Sequence, residues 1–286
     1  MATETQRDFA AWVGREETRS GVAVAGYADA LAATLDRDDP PFKDGDPVPP
    51  GWHWIFFPEA VRMSEVAADG HEKPGRFLPI LPLKRRMWAA NRMRFMRPLR
   101  IGEKVTRTAR IAAIAPKEGG TGPLIFVTVT FTISGEAGIA TEEEQTYVFR
   151  GPADRKAPEP APRKPPSGAA WRRTVTPDAV LLFRFSALTL NSHRIHYDHP
   201  YVTREEGYPG LLVHGPLTQA LLVDLLRRER PEARIESFAV RAVSPLYAGD
   251  RVTFEGMPGA DGRSASLWAV APHGGLAMTA EAAFSR

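Results

Sequence analysis

Within a span of eight residues the chain reads Asn-Ser-His-Arg-Ile-His-Tyr-Asp, from Asn191 to Asp198. One amide, two imidazoles (His193 and His196), a guanidinium (Arg194) and a carboxylate are crowded into a stretch where packing needs none of them, and such groups are costly to bury. An ordinary imidazole titrates near ~6.5, so His196 is suited to act as a base at neutral pH. Asn191 cannot take a proton as a carboxylate does; it is suited to orient water or a ligand by hydrogen bonding. A little further on, Val213-His214-Gly215-Pro216 leads into an apolar run. Proline inside the first turn of a helix leaves the Gly215 N–H without a partner at the positive end of the dipole, where a glycine also admits a close approach. Those are the properties of an oxyanion hole. The chain has no cysteine, so thiolate nucleophiles, disulfides and sulfur-bound metal centres are excluded, and the chemistry must use histidines, carboxylates, amides and backbone groups.

Two helices must position this block. The apolar stretch 179–190 follows Thr176-Pro177-Asp178, read as an N-cap, a proline at the first helical position and an acid in the first turn, and is expected to stop at Asn191 in a left-handed cap. The stretch 215–228 is apolar on nearly every face and is expected to be buried on most sides. Around them, 121–150 and 264–286 alternate apolar and polar residues with glycine breaks, which predicts antiparallel hairpins. Pro98-Leu-Arg-Ile-Gly-Glu-Lys-Val-Thr106 matches Pro245-Leu-Tyr-Ala-Gly-Asp-Arg-Val-Thr253, with five of nine positions identical, which implies a duplicated domain. Six prolines in 151–168 mark a linker, so the expected organisation is a first repeat over 1–150 and a second over 169–286 that carries the motif. In the first repeat 22–35 reads as helical, but the segment near 51–57 that should match the buried helix is short and proline-flanked, so that copy reads as degenerate.

At this point the sequence resembles the MaoC-like hydratases and dehydratases of the hot-dog superfamily. His196 falls on that family's catalytic histidine and His214-Gly215 on the His-Gly that opens its central helix. Asn191 stands where its aspartate is expected, His193 where its asparagine is, and Arg194 where its proline is. FRFSALTLNSHRIHYD and GYPGLLVHGPL, with PPGWHWIFF and RPLRIGE in the first half, are similar to a subgroup that contains type 2 hydroxyacyl-thioester dehydratases and 3-methylfumaryl-CoA (mesaconyl-CoA) hydratases. The resemblance implies an α+β double hot-dog, with each antiparallel sheet wrapped on a central helix and an acyl-CoA or acyl carrier protein thioester held between the repeats. It implies hydro-lyase chemistry with no metal or redox cofactor. His196, Asn191 and Gly215 would be catalytic, and Arg194, His193, His214, Trp88 and Arg92 would bind substrate.

The acid of that reaction is left open by the residues: His196 performs both proton transfers, or His193 or Asp198 replaces the missing carboxylate. A 3-methylfumaryl-CoA substrate is the first expectation, because Arg194 beside His196 could hold a free carboxylate; a fatty (3R)-hydroxyacyl thioester and a non-catalytic acyl-CoA-binding protein are the alternatives. Seven Lys/Arg and no acid lie between Lys84 and Arg100, a candidate landing site for CoA phosphates, with Trp88 to stack on adenine; a solvated strand face is the plainer reading. The net charge of +3 is too balanced to argue for nucleic acid. No apolar run approaches a membrane span, so a cytoplasmic protein without membrane partners is expected, and a homodimer is one assembly this reading allows.

Overall fold

The computed structural model describes residues 9–58, 60–120, 122–151 and 161–285. The alternation seen in sequence becomes strands with one buried face. In β4 (Gly122–Gly135), Ile125, Val127 and Val129 are buried while the residues between them are not. It is hydrogen-bonded to β3 (Lys104–Gly119) on one side and β5 (Gly138–Arg150) on the other. The short β1 (Glu16–Val22) closes that edge against β3, and β2 (Arg85–Phe95) pairs with β5 on the inner side.

The second half repeats the plan. β6 (Trp171–Val175) edges β8 (Val252–Pro258), which is followed by β9 (Ser264–Val270), β10 (Leu276–Ser285) and β7 (Arg234–Ala242). The double hot-dog expectation holds, with one addition. The two halves do not carry separate sheets: β2 and β7 pair directly from Ala90↔Arg241 to Arg94↔Ser237, giving one ten-stranded antiparallel sheet, β1-β3-β4-β5-β2-β7-β10-β9-β8-β6. Pairing these inner strands satisfies backbone groups that would otherwise be exposed as edges.

Helix α1 (Ala25–Thr34) in the first half corresponds to α2 (Ala179–Thr189) in the second. Each ends in a left-handed non-glycine residue, Asp36 (φ 57°) and Leu190 (φ 49°). The cap of α2 is therefore Leu190 rather than Asn191, whose side chain instead bonds the loop that follows. The start also differs from expectation: Asp178 is the N-cap, its carboxylate accepting the Leu181 N–H at 2.8 Å, and Pro177 lies before the helix with its carbonyl accepting the Gly249 N–H. After α2 come a single helical turn over Arg194–His196, the short α3 (His199–Arg204), and α4 (Gly215–Glu229).

The repeat observed in sequence forms matching turns. Gly102 (φ 87°) and Gly249 (φ 90°) occupy the same left-handed position, and the bridge Pro47↔Arg100 mirrors Leu212↔Tyr247. Val48 N–H donates to Leu99 O as Val213 N–H donates to Leu246 O, both at 2.8 Å. Pro49 and Pro50 thus stand where the second repeat has His214 and Gly215, and only a short turn over His53–Phe56 follows. A proline has no N–H to offer, so the first copy has lost both the imidazole and the donor.

Helix α4 is buried continuously from Leu217 to Leu226, including Thr218, Gln219 and Asp224. Both halves supply partners for its polar groups. Asp224 meets Arg37 at 2.6 Å from the loop after α1, Arg173 of β6, and Arg228 at 2.8 Å one turn on. Gln219 accepts from Asn91 of β2, which also donates to Glu143 of β5 at 2.7 Å; His53 and Trp54 bond the same carboxylate. Burial alone would push the Glu143 carboxyl up, but the His53 charge and these hydrogen bonds hold it below its ordinary value. Residues 152–160 of the expected linker lie outside the described residues; no described helix is long and apolar enough to cross a membrane. Removing one partner of a buried ion cluster leaves the others uncompensated, at about 3–5 kcal/mol. Asp224→Ala should lower stability by about that amount in urea unfolding, more than Asp261→Ala in the exposed β8–β9 turn.

Candidate active site

The loop between α2 and α4 carries the sequence block, and its shape follows from local bonds. Asn191 Oδ1 accepts the His193 N–H at 3.0 Å, an Asx turn that aims both histidines inward. His193 and His196 are each 8% exposed, and His214 is fully buried. The Nδ1 of His196 lies 2.8 Å from the Leu212 carbonyl. A carbonyl only accepts, so Nδ1 carries the proton and Nε2 keeps its lone pair. His196 stacks on His214, with ring centroids 3.5 Å apart and planes 19° apart, and His214 Nε2 is bonded to Ser186 Oγ of α2 at 2.8 Å. His193 meets His196 edge-on at 5.6 Å.

Burial is the main cause that keeps these rings neutral. It pushes His196 down to about 4, against the rise given by its Leu212 bond, and holds His214 and His193 well below the ordinary histidine value with help from neighbouring histidines. A neutral imidazole with one nitrogen tied and the other open can accept a proton from water.

Gly215 is the first residue of α4, and its N–H has no partner among the described residues. A Cβ there would sit 2.5 Å from the Trp88 ring, so only glycine fits beneath that indole. Trp88 therefore lies against the start of α4, within the cluster, instead of on an outer surface for adenine. Its indole N–H and His214 Nδ1 are both buried without a hydrogen-bond partner among the described residues. Unsatisfied buried polar atoms are uncommon and mark places where a ligand or water completes the bonding.

The structure does not bring Arg194 and Arg92 to this cluster. Arg194 donates to Asp198 (2.7 Å) and to the Ala68 carbonyl (3.0 Å) and covers the Tyr201 ring. Asp198 is used by that pair and as N-cap of α3, which holds its carboxyl below the ordinary range and leaves it no acid to give. Arg92 and Arg94 project from the exposed sheet face opposite Glu144 and Glu142 of β5, at 3.5 and 3.3 Å. The basic run is thus largely a paired, solvated strand face, because the acids that balance it lie on the adjacent strand and not beside it in sequence. Arg86 differs. It lies one pleat from Trp88 on β2, half-buried, over the Tyr147 ring at 5.5 Å and without a carboxylate partner among the described residues.

Two groups that sequence reasoning passed over complete the cluster. Asp69 and His71 come from the first half, and the His71 ring packs on His193 at 3.9 Å between centroids. Asp69, His71 and His193 each place one ligand-type atom within 4.8 Å of the others. Ions bind where lone pairs converge at about 2 Å; here His71 Nδ1 is hydrogen-bonded to Asp69 at 3.0 Å and its ring packs on that of His193. A cavity of about 710 Å³ also opens at the far end of α4, between Phe42, Pro49, Phe95, Arg227 and Ile235, away from this histidine cluster.

The family model for hydroxyacyl-thioester dehydratase type 2 matches residues 51–248. The chain belongs to the hydroxyacyl-thioester dehydratase type 2 family. It is 44% identical to the mesaconyl-C(4)-CoA hydratase of Chloroflexus aurantiacus over 276 residues, 96% of each chain. Among solved structures, it is similar to a MaoC-like dehydratase from Phytophthora capsici, with 16% identity, 96% of each chain covered and a TM-score of 0.70. A Mycobacterium tuberculosis protein described as having a double hotdog fold aligns over 95% of this chain and 96% of its own, with 15% identity and a TM-score of 0.59. These last two likenesses establish the shared fold of this family member.

The depressed histidines also have a consequence for stability. The unfolded chain takes protons on these residues near 6.5, while folded His196 refuses its proton until about 4 and folded His193 and His214 stay neutral well below 6.5, so stability is full above 6.5 and falls as pH drops below it. Each histidine contributes a slope of up to about 1.4 kcal/mol per pH unit. The Tm of the wild type should fall between pH 7 and 5, and His196→Gln should flatten that fall.

Proposed function

We propose that this protein adds water across the double bond of an α,β-unsaturated acyl-CoA thioester that carries a free carboxylate, the mesaconyl-C4-CoA (3-methylfumaryl-CoA) class, and catalyses the reverse elimination. The observation that carries the reaction type is His196: buried, neutral, tied at Nδ1, open at Nε2, and beside the unpartnered N–H at the start of α4. The substrate class is supported by the likeness to the Chloroflexus enzyme over nearly the whole of both chains.

In this reading the thioester oxygen lies against the Gly215 N–H, where the helix dipole stabilises the charge that forms as the carbonyl becomes an enolate. His196 Nε2 takes a proton from water while the water oxygen bonds to the β-carbon. Trp88 forms one wall and excludes water. Asn191 holds the loop that aims His193 and His196. Arg86, in place of the Arg194 expected from sequence, is the cation available to a substrate carboxylate, since Arg194 is already neutralised by Asp198.

A screen of enoyl-CoA thioesters, followed by loss of conjugated absorbance, tests this directly. His196→Ala should lower turnover by at least ~100-fold with folding intact. A charge-assisted bond to Arg86 is worth ~1.5–3 kcal/mol, so a fumaryl-type thioester should exceed a crotonyl-type one in kcat/KM by roughly 10-fold to 150-fold. Arg86→Met should remove that preference and Arg194→Met should not. Binding of the thioesters without any turnover would make the chain an acyl-CoA-binding protein instead. Because the neutral form of His196 persists below the usual histidine range, the acid limb of kcat/KM should lie under pH 6.5, toward 4.

A further inference from the structure

Asn191 leaves the site without the carboxylate that its position in the motif would carry, and the structure brings one from the other half of the molecule. Residues 66–72 form a tight loop closed by the bridge Val66↔Glu72 and by Ala67 N–H to His71 O at 2.7 Å. This loop is docked on the catalytic loop. Arg194 N–H donates to Asp69 O at 2.9 Å, Ser192 Oγ–H to Gly70 O at 2.5 Å, and the Arg194 guanidinium to Ala68 O. Gly70 has φ 93°, and a Cβ there would lie 1.8 Å from the Ser192 carbonyl, so the two backbones touch with no room for any side chain.

The contact sets Asp69 and His71 behind His193. Asp69 Oδ2 lies 3.0 Å from His71 Nδ1, and Oδ1 accepts the His71 backbone N–H at 3.0 Å, so the imidazole is fixed at both ends of the carboxylate. Burial would push the Asp69 carboxyl up, but the bond to His71 and the charge of that ring hold it well below the ordinary range, so it stays ionised. From Asp69 the groups continue without a gap through His71 and His193 to His196, at 3.9 and 5.6 Å between successive ring centroids.

We propose that Asp69 and His71, supplied by the first repeat, are positioning residues for the acid half of the reaction, with Asp69 standing in for the carboxylate absent at Asn191. This rests on the hydration reading above. The step balances. The water oxygen bonds to the β-carbon as its proton passes to His196 Nε2, and the π pair of the double bond moves toward the thioester oxygen. The α-carbon of that enolate takes the N–H proton of neutral His193 as His193 receives at its other nitrogen the proton that His71 holds beside Asp69, and the proton on His196 returns to His71 through solvent.

Asp69→Asn tests it. In the wild type, kcat should exceed that of the variant by ~10-fold to 100-fold, with KM changed less than threefold, the size of effect expected when one partner of an acid–base group is disabled. Loss of the negative charge destabilises a protonated imidazole beside it, so the alkaline limb of kcat should move to lower pH. Asp69→Glu should restore part of both. Ser192→Ala removes the docking bond and keeps the carboxylate; it should lower Tm without moving the limb. Histidine ¹⁵N NMR on the ligand-free protein gives a readout that needs no activity: Asp69→Asn should shift the signals of His71, whose Nδ1 lies 3.0 Å from that carboxylate. Wild-type kcat and pH profile in Asp69→Asn overturn the proposal and leave His196 performing both transfers. So does a uniform loss at every pH that tracks Tm, or an activity that a chelator removes and a divalent ion restores. If no enoyl thioester is turned over by the wild type, the functional reading falls, and unmoved His71 signals in Asp69→Asn then separately reject the Asp69 group.

Discussion

A helix buried on every side can carry polar side chains only where its surroundings pair them, and α4 carries Gln219 and Asp224 at full burial. Beside Arg173 and Arg228 of its own repeat, partners reach it from the first: Asn91, which bridges Gln219 to Glu143, and Arg37, which reaches Asp224. The result is a registration device. Apolar packing of α4 on the sheet would tolerate sliding or rotation, whereas these bonds are short and directional and have one geometry. Together with the β2–β7 pairing they fix how the halves meet, and so fix where the N-terminus of α4 lies relative to Trp88.

That position is what the proposed chemistry uses. Gly215 opens the helix under Trp88, so one residue provides the unpartnered N–H and the close approach, while the indole comes from the opposite repeat. The same division appears at the histidines. His193, His196 and His214 belong to the second repeat, and Asp69 and His71 reach them from the first through a glycine-tight loop contact. In the first repeat the corresponding places are filled by Pro49 and Pro50, followed by a single turn in place of a helix. Duplication has thus produced an asymmetric pair, in which one copy keeps the helix and the motif and the other contributes walls, ion partners and a loop.

Much of this was legible from local pattern. Period-two alternation found β4, β5, β9 and β10, the run after Pro216 found a fully buried helix, and the 98–106 repeat found the duplication, because strand, helix and turn each impose a short-range spacing on residue type. The crowding from Asn191 to Asp198, with His214-Gly215, found three of the clustered histidines. Local pattern failed where two neighbours in sequence face different ways or two partners are distant. Arg194 is adjacent to the site histidines along the chain yet turns outward to Asp198, one helical turn on. The basic run on β2 was read without its counter-charges, since Glu142 and Glu144 lie on the paired strand. Asp69 and His71 stood in a polar loop with no periodicity and no motif.

The sequence by itself determined which elements form, that they occur twice, that only the second copy keeps the His-Gly helix start, and which residue types could act as base and oxyanion donor. These depend on neighbours within a few residues, where spacing and propensity act. The tertiary structure alone decided that two sheets become one, that Trp88 closes on Gly215, that Arg194 is paired with Asp198 while Arg86 has no carboxylate partner among the described residues, and that a carboxylate reaches the His71–His193 pair from the other repeat. Each of these is a contact between groups far apart in the chain, and its energy depends on burial and on directional bonds that exist only once α4 is enclosed and β2 has met β7.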